Sequence, residues 1–192
     1  MKYKINSIFF SIQGEGNQTG MPAVFVRFAG CNLSCNFCDT DHSQKMELTS
    51  EEILEEIEKF PTCKNIILTG GEPTEQNLFP LLYLLETLWY DVSIESNGTN
   101  PIDPYVEAGL IQWVTISPKM ESTIYDNSKV NEVKYIEGHF DPCSGVSFLD
   151  VPFFYIQPCD GSEGSVERSC QFVKENPRWR LSIQMHKLIG IQ

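Results

Sequence analysis

Basic residues are scarce in this chain. Lys and Arg number 14 against 26 Asp and Glu, a formal charge of −12 over 192 residues. A surface that negative repels a phosphate backbone, which argues against nucleic acid as a direct partner. No apolar run approaches the roughly 20 residues of a membrane helix, so no membrane partner is expected. Internal repeats, low-complexity stretches and linkers are missing as well. With 41% hydrophobic residues, the composition excludes disordered and fibrous classes. No secretory apolar segment follows Met1, and the seven cysteines are an odd count. A reducing, cytoplasmic compartment is expected, where clustered cysteines signal metal or redox chemistry rather than disulfides. The length suits one domain, residues 1–192, around one core.

Short β-branched runs are plentiful. Tyr3–Phe10, Ala23–Phe28, Asn65–Leu68, Asp91–Glu95, Trp113–Ser117, Val130–Ile136, Phe153–Ile156 and Arg180–Met185 read as strands. Between them, Thr49-Ser50-Glu51-Glu52 is a capping box opening a helix to about Lys59. Leucine-rich Asn77–Trp89 and Gly164–Glu175 read as helices, and Pro101–Gly109 can hold only a short one. Alternation of this kind predicts an α/β fold with mostly parallel strands and few helices. A full eight-fold barrel takes about 250 residues, so a reduced, partly open (partial TIM-like) barrel is expected, with its site at the strand carboxyl ends.

Cys31, Cys35 and Cys38 stand in a Cys-x3-Cys-x2-Cys spacing. Three soft thiolates on one short loop suit zinc or an iron–sulfur cluster. Zinc would need a fourth ligand, such as His42 or the distant Cys63. Three ligands on a four-iron cube leave one iron open. Cys63, Cys143, Cys159 and Cys170 read individually as core or surface thiols.

That spacing, with aromatic Phe37 before the last cysteine, resembles the radical S-adenosylmethionine (SAM) superfamily. The resemblance implies a [4Fe–4S] cluster on Cys31, Cys35 and Cys38. Its open iron would chelate SAM and cleave it to methionine and a 5′-deoxyadenosyl radical. Phe37, Cys38 and Asp39 would lie beside the bound SAM. Thr69-Gly70-Gly71-Glu72-Pro73 matches the superfamily's glycine-rich motif, which places Gly71 and Glu72 at the SAM amino group. Ser96-Asn97, Ser117-Pro118-Lys119 and Gln157-Pro158-Cys159-Asp160 end successive strands and would add further SAM contacts.

Closer resemblance is to the 7-carboxy-7-deazaguanine synthase family. It rests on Ser11–Gly16, on Phe25-Val26-Arg27 running into Gly30-Cys31-Asn32-Leu33, on Cys38-Asp39-Thr40, and on Arg180–Lys187. It implies conversion of 6-carboxy-5,6,7,8-tetrahydropterin to 7-carboxy-7-deazaguanine with loss of ammonia, a carbon–nitrogen lyase reaction in deazapurine and queuosine precursor synthesis. Ile12, Gln13, Gly14, Glu15, Arg27, Thr69, His186 and the last residue, Gln192, would bind the pterin. An amide and a carboxylate can pair with the donor and acceptor edge of such a ring. Arg27, alone in an apolar strand, needs an anion, either Glu15 or a substrate carboxylate. Thr40 would supply an oxygen to Mg²⁺, with Asp39 and Asp41 as competing ligands. A flavodoxin- or ferredoxin-type reductant and a homodimer are expected. The alternatives are a radical SAM activase that makes a glycyl radical on a partner protein, and a non-catalytic zinc-stabilised binding protein.

Overall fold

Side-chain parity along the strands decides what each face of the sheet carries. The computed structural model describes residues 1–119, 128–139 and 151–191. Among them nine strands form one sheet: β1 (Lys2–Ile12), β2 (Pro22–Phe28), β3 (Met46–Thr49), β4 (Asn65–Gly70), β5 (Asp91–Ser96), β6 (Trp113–Ile116), β7 (Glu132–Ile136), β8 (Phe153–Gln157) and β9 (Trp179–Leu181). Their order is β3-β1-β2-β4-β5-β6-β7-β8-β9, running from one edge to the other without closing. β1 is antiparallel to β2 and β3, and every pairing from β2 onward to β9 is parallel. The expected reduced, open, mostly parallel α/β architecture is therefore observed.

Helices α1 (Ser50–Ile57), α2 (Phe79–Thr87), α3 (Asp103–Glu107), α4 (Ser165–Glu175) and α5 (Met185–Ile189), with two short 3-10 turns at Gly16–Gln18 and Pro73–Glu75, complete the described elements. The capping box forms: Glu52 N–H donates to Thr49 Oγ1 and Thr49 N–H donates to Glu52 Oε2. In α2, Leu81, Leu82 and Leu85 are fully buried, each stabilising the fold by about 1.5–3 kcal/mol. Tyr3 fixes the start of α2 from β1. Its hydroxyl donates to Asn77 O at 3.0 Å and accepts from Leu81 N–H at 3.2 Å.

Two expectations are corrected. β3 was not foreseen, because four half-buried residues carry too little periodicity; its pairing with β1 makes it a strand. The strand expected over Arg180–Met185 stops at Leu181. Beyond it, Met185 N–H donates to Gly14 O, and the chain leaves the sheet as α5. His186 therefore sits on a helix.

In β2, Val24, Val26 and Phe28 join the main core with Tyr3, Ile5, Ile66, Leu68 and the helix leucines. Ala23 and Phe25 face the other way, with Ile67. Period-two alternation puts Arg27 on that second, inner face. There Arg27 lies opposite Thr69, Glu95 opposite Thr115, and Thr115 opposite Glu132. The outer face is apolar and covered by helices. The inner face carries a row of polar side chains across five strands.

Candidate active site at the strand carboxyl ends

The inner row opens into a cavity of about 270 Å³. Its wall takes in Cys31, Cys35, Phe37, Cys38, Asp39 and Thr40 of the loop after β2, with Thr69 at the end of β4 and Gly71 just after it. Ser96, Asn97, Ser117, Lys119 and the whole Gln157-Pro158-Cys159-Asp160 run follow from later strand ends. Ile12, Gln13, Gly14, Glu15, Arg27 and His186 line it as well. Residues from both ends of the chain thus share one space. Gln192 and Cys143 lie outside the described residues.

Three expected roles change in detail. Glu72 is completely buried behind the wall. It accepts from Thr74 N–H, Thr74 Oγ1, Ser96 Oγ and Asn97 N–H at 2.6–3.1 Å. Its carboxylate therefore ties the glycine turn to the end of β5, while burial raises its pKa. Pro118 is buried and is not part of the wall. One face of Phe37 packs against His139, with ring centroids 3.8 Å apart. His139 Nε2 lies 3.3 Å from Cys159 Sγ.

Gly71 is required by packing. A Cβ there would stand 1.7 Å from Gly30 O, so only glycine lets the turn pass beneath the cysteine loop. Gly14 has a similar reason, since its Cβ would meet His186 Nδ1 at 2.2 Å. His186 is thus pressed onto the Gln13–Glu15 loop at the cavity rather than held in the core.

The electrostatics centre on Lys134, which the sequence reading passed over. Its side chain is 6% exposed and pairs with Glu15, with Glu95 further off at 3.8 Å. Glu15 Oε1 accepts from Gln184 at 2.9 Å and Gln157 at 3.3 Å. Glu95 accepts from Gln13 at 2.9 Å and Thr69 at 2.8 Å. Burial, the largest influence, would raise the Glu15 pKa, but the Lys134 charge together with the hydrogen bonds from Lys134 and Gln184 outweighs it and the pKa is lowered. Burial pushes Lys134 down, and Glu15 and Glu95 more than reverse this. Lys119 goes the other way: burial, then the neighbouring Lys134, lower its pKa. A lysine inside the apolar run Val133-Lys134-Tyr135 was the signal available in the sequence.

Arg27 does not pair with Glu15. Among the described residues no carboxylate bridges it, and its buried Nε has no hydrogen-bond partner. Its guanidinium lies 5.6 Å from the Phe9 ring centroid. Lys187 and Gln184 were also missed as wall residues. Lys187 bridges Asp39 and Asp160 at 2.6 Å each, strapping α5 to the cysteine loop and to the end of β8.

Comparison with known proteins fits this geometry. The Radical SAM superfamily model matches residues 25–127. The 7-carboxy-7-deazaguanine synthase of Bacteroides thetaiotaomicron is 42% identical over all of both chains. Its counterpart from Haemophilus influenzae is 36% identical over 99% of this chain and 94% of its own. The chain belongs to the 7-carboxy-7-deazaguanine synthase family of radical SAM proteins. A crystal structure of QueE from Escherichia coli superimposes with a TM-score of 0.77 at 28% identity, covering 97% of this chain and 95% of that one. Family membership brings a [4Fe–4S] cluster, SAM, a small-molecule substrate and the need for a reductant. The glycyl-radical activase and the zinc-stabilised binding protein fall away.

The residues fit such a cluster by the chemistry of their donors. Three free thiols of one loop lie on one cavity wall. Leu33 N–H at 3.4 Å and Asn97 Nδ2 at 3.9 Å already donate to Cys31 Sγ, and N–H groups aimed at cluster sulfurs tune such centres. Among the described residues, no three Cys, His, Asp or Glu side chains gather as one metal ion requires. Cys63 cannot close a zinc site, because its thiol lies within 3.6 Å of Pro22 O and Asn65 O at the amino ends of β2 and β4, the end of the sheet opposite the cysteine loop. Among the described residues no helix is long and apolar enough to cross a membrane.

Proposed function

We propose that this chain converts 6-carboxy-5,6,7,8-tetrahydropterin to 7-carboxy-7-deazaguanine with loss of ammonia. One observation carries the reading in a member of this family: the three thiols open onto the same cavity as an unpaired Arg27 and a carboxylate-rich floor. When bound, the cluster and SAM would supply radical chemistry at the carbon bearing the substrate carboxylate. Cys31, Cys35 and Cys38 hold the cluster. Gly71, Ser96, Asn97, Ser117, Lys119 and Gln157–Asp160 line the path for SAM. Arg27 takes the substrate carboxylate, which supplies an anion to a half-buried guanidinium whose Nε is buried without a partner. Glu15 and Glu95 accept the N–H groups of the pyrimidine edge, and Phe9 and Phe25 flank the ring.

Thr40 would supply an oxygen ligand to Mg²⁺. A flavodoxin- or ferredoxin-type protein delivers the electron, the chain acts as a homodimer, and it works in the cytoplasm. The test supplies carboxytetrahydropterin, SAM, Mg²⁺ and reductant to anaerobically reconstituted protein and measures deazaguanine product. A fully loaded cluster without product would overturn the assignment. Cys35→Ala should abolish both cluster and product. Thr40→Ala should keep the cluster and lose Mg²⁺-dependent rate; equal cluster loss in both variants would reject Thr40 as the Mg²⁺ ligand.

A further inference from the structure

Phe37 is the one Phe, Tyr or Trp in the loop between β2 and β3, and it belongs to the cavity wall. A ring on such a loop takes a flat ligand at low cost only if its plane is already held. His139, from the turn after β7, lies almost flat against it. The ring centroids are 3.8 Å apart and the planes are inclined by 21°. His139 is not part of the cavity wall, so it covers Phe37 from outside that space. The imidazole is held in turn. Its Nε2 lies 3.3 Å from Cys159 Sγ, and the His139 backbone N–H donates to Ile136 O at 3.3 Å. Cys159 is buried, and its backbone N–H donates to Ser165 Oγ at 2.7 Å. Ser165 Oγ donates to Glu137 Oε2 at 2.7 Å, and Arg168 grips both Glu137 oxygens at 2.8 and 2.9 Å. Glu137 N–H also donates to Gln157 O at 2.8 Å. The turn after β7, the end of β8 and the start of α4 are thus one braced unit, and the His139 ring carries it onto the cysteine loop.

We propose that His139 is a positioning residue for SAM, stacking on Phe37 from outside the cavity and fixing that ring so that its cavity side takes the adenine. The proposal rests on the SAM chemistry of the family and on Phe37 as the neighbour of the adenine. A purine stacks well on an aromatic face. Fixing the face before the ligand arrives removes the cost of ordering the ring on binding. The imidazole ring supplies the stack, and the Cys159 contact only sets its angle. The effect of His139 therefore falls on affinity for the nucleoside, through Phe37.

The test measures by titration calorimetry how tightly cluster-loaded protein binds S-adenosylhomocysteine, which carries the adenine without the sulfonium. Three variants separate the ring from its polar contact. His139→Ala removes both, His139→Gln keeps a polar partner for Cys159 without a ring, and His139→Phe keeps a ring without the nitrogen. The Ala and Gln variants should bind about three- to tenfold more weakly than wild type, the worth of one aromatic stack. The Phe variant should match wild type, and iron per chain should be unchanged in all three. Wild-type affinity in His139→Gln, or a His139→Phe variant as weak as His139→Gln, overturns the proposal, even if His139→Ala fails to fold. So does loss of iron in the Gln variant, which would make His139 a brace for the whole cysteine loop. If cluster-loaded wild-type protein does not bind S-adenosylhomocysteine, the SAM reading of the cavity fails and takes this proposal with it.

Discussion

Replacing Glu72 by glutamine keeps the side-chain shape and removes one acceptor. In the native turn, one carboxylate oxygen takes three donors, from Thr74 N–H, Thr74 Oγ1 and Ser96 Oγ. The other takes Asn97 N–H at 2.7 Å. Glutamine keeps the three donors by turning its amide nitrogen toward Asn97, which sets two donors against each other. The lost bond was charge-assisted and costs about 1.5–3 kcal/mol, and the remaining three weaken as the charge leaves. Part of this is returned, because a fully buried charge no longer has to be held from water. The net loss should be about 2–4 kcal/mol, at the upper end of what single substitutions do. At about 2–4 °C per kcal/mol for a chain of this size, Tm should fall by about 4–16 °C. Thermal unfolding of cluster-free, reduced protein followed by circular dichroism reads this directly. A fall of less than about 2 °C would refute the reasoning. It would mean that Glu72 is protonated in the fold and that the four bonds contribute little.

Gly71→Ala places a methyl group 1.7 Å from Gly30 O, so either the cysteine loop or the glycine turn must move. Overpacking of that kind costs about 1–3 kcal/mol, and iron per chain after anaerobic reconstitution should drop; wild-type iron content would exclude the close approach. Glu137 takes two bonds from Arg168, at 2.8 and 2.9 Å, and one from Ser165, which together lower its pKa below the ordinary 4.5. The stability it contributes is therefore present above pH 4.5 and lost as pH falls through its lower folded value. In Arg168→Met, the Glu137 carboxyl followed by NMR should titrate at higher pH than in the wild type; an unmoved titration would remove Arg168 as the cause.

Much of the site was legible because it is local. Cys31, Cys35 and Cys38 announce themselves by spacing, and Gly71, Ser96, Ser117 and Gln157 by falling where strands end. Lys134, Glu95, Gln184 and Lys187 were not legible as site residues. Lys134 meets Glu15 across 119 positions and Gln184 meets it across 169, and no periodicity encodes such a meeting. Arg27 stood out by type, but whether Glu15 would neutralise it depended on where Lys134 lies. The end of the last strand was misjudged because Arg180–Met185 keeps an extended pattern, while contacts with Gly14 and Gln157 draw the chain away from the sheet.

By itself the sequence determined the α/β class, the outer apolar face and the cysteine loop. Each follows from side-chain period or short-range spacing, which a linear chain carries intact. Tertiary structure decided the rest. Parallel pairing aligned inner-face polar residues from five strands into one row, and α5 returned to cover it. The ionisation of Glu15 and the solitary charge of Arg27 depend on distances between residues far apart in the chain. Those distances exist only once the sheet has put their strands side by side.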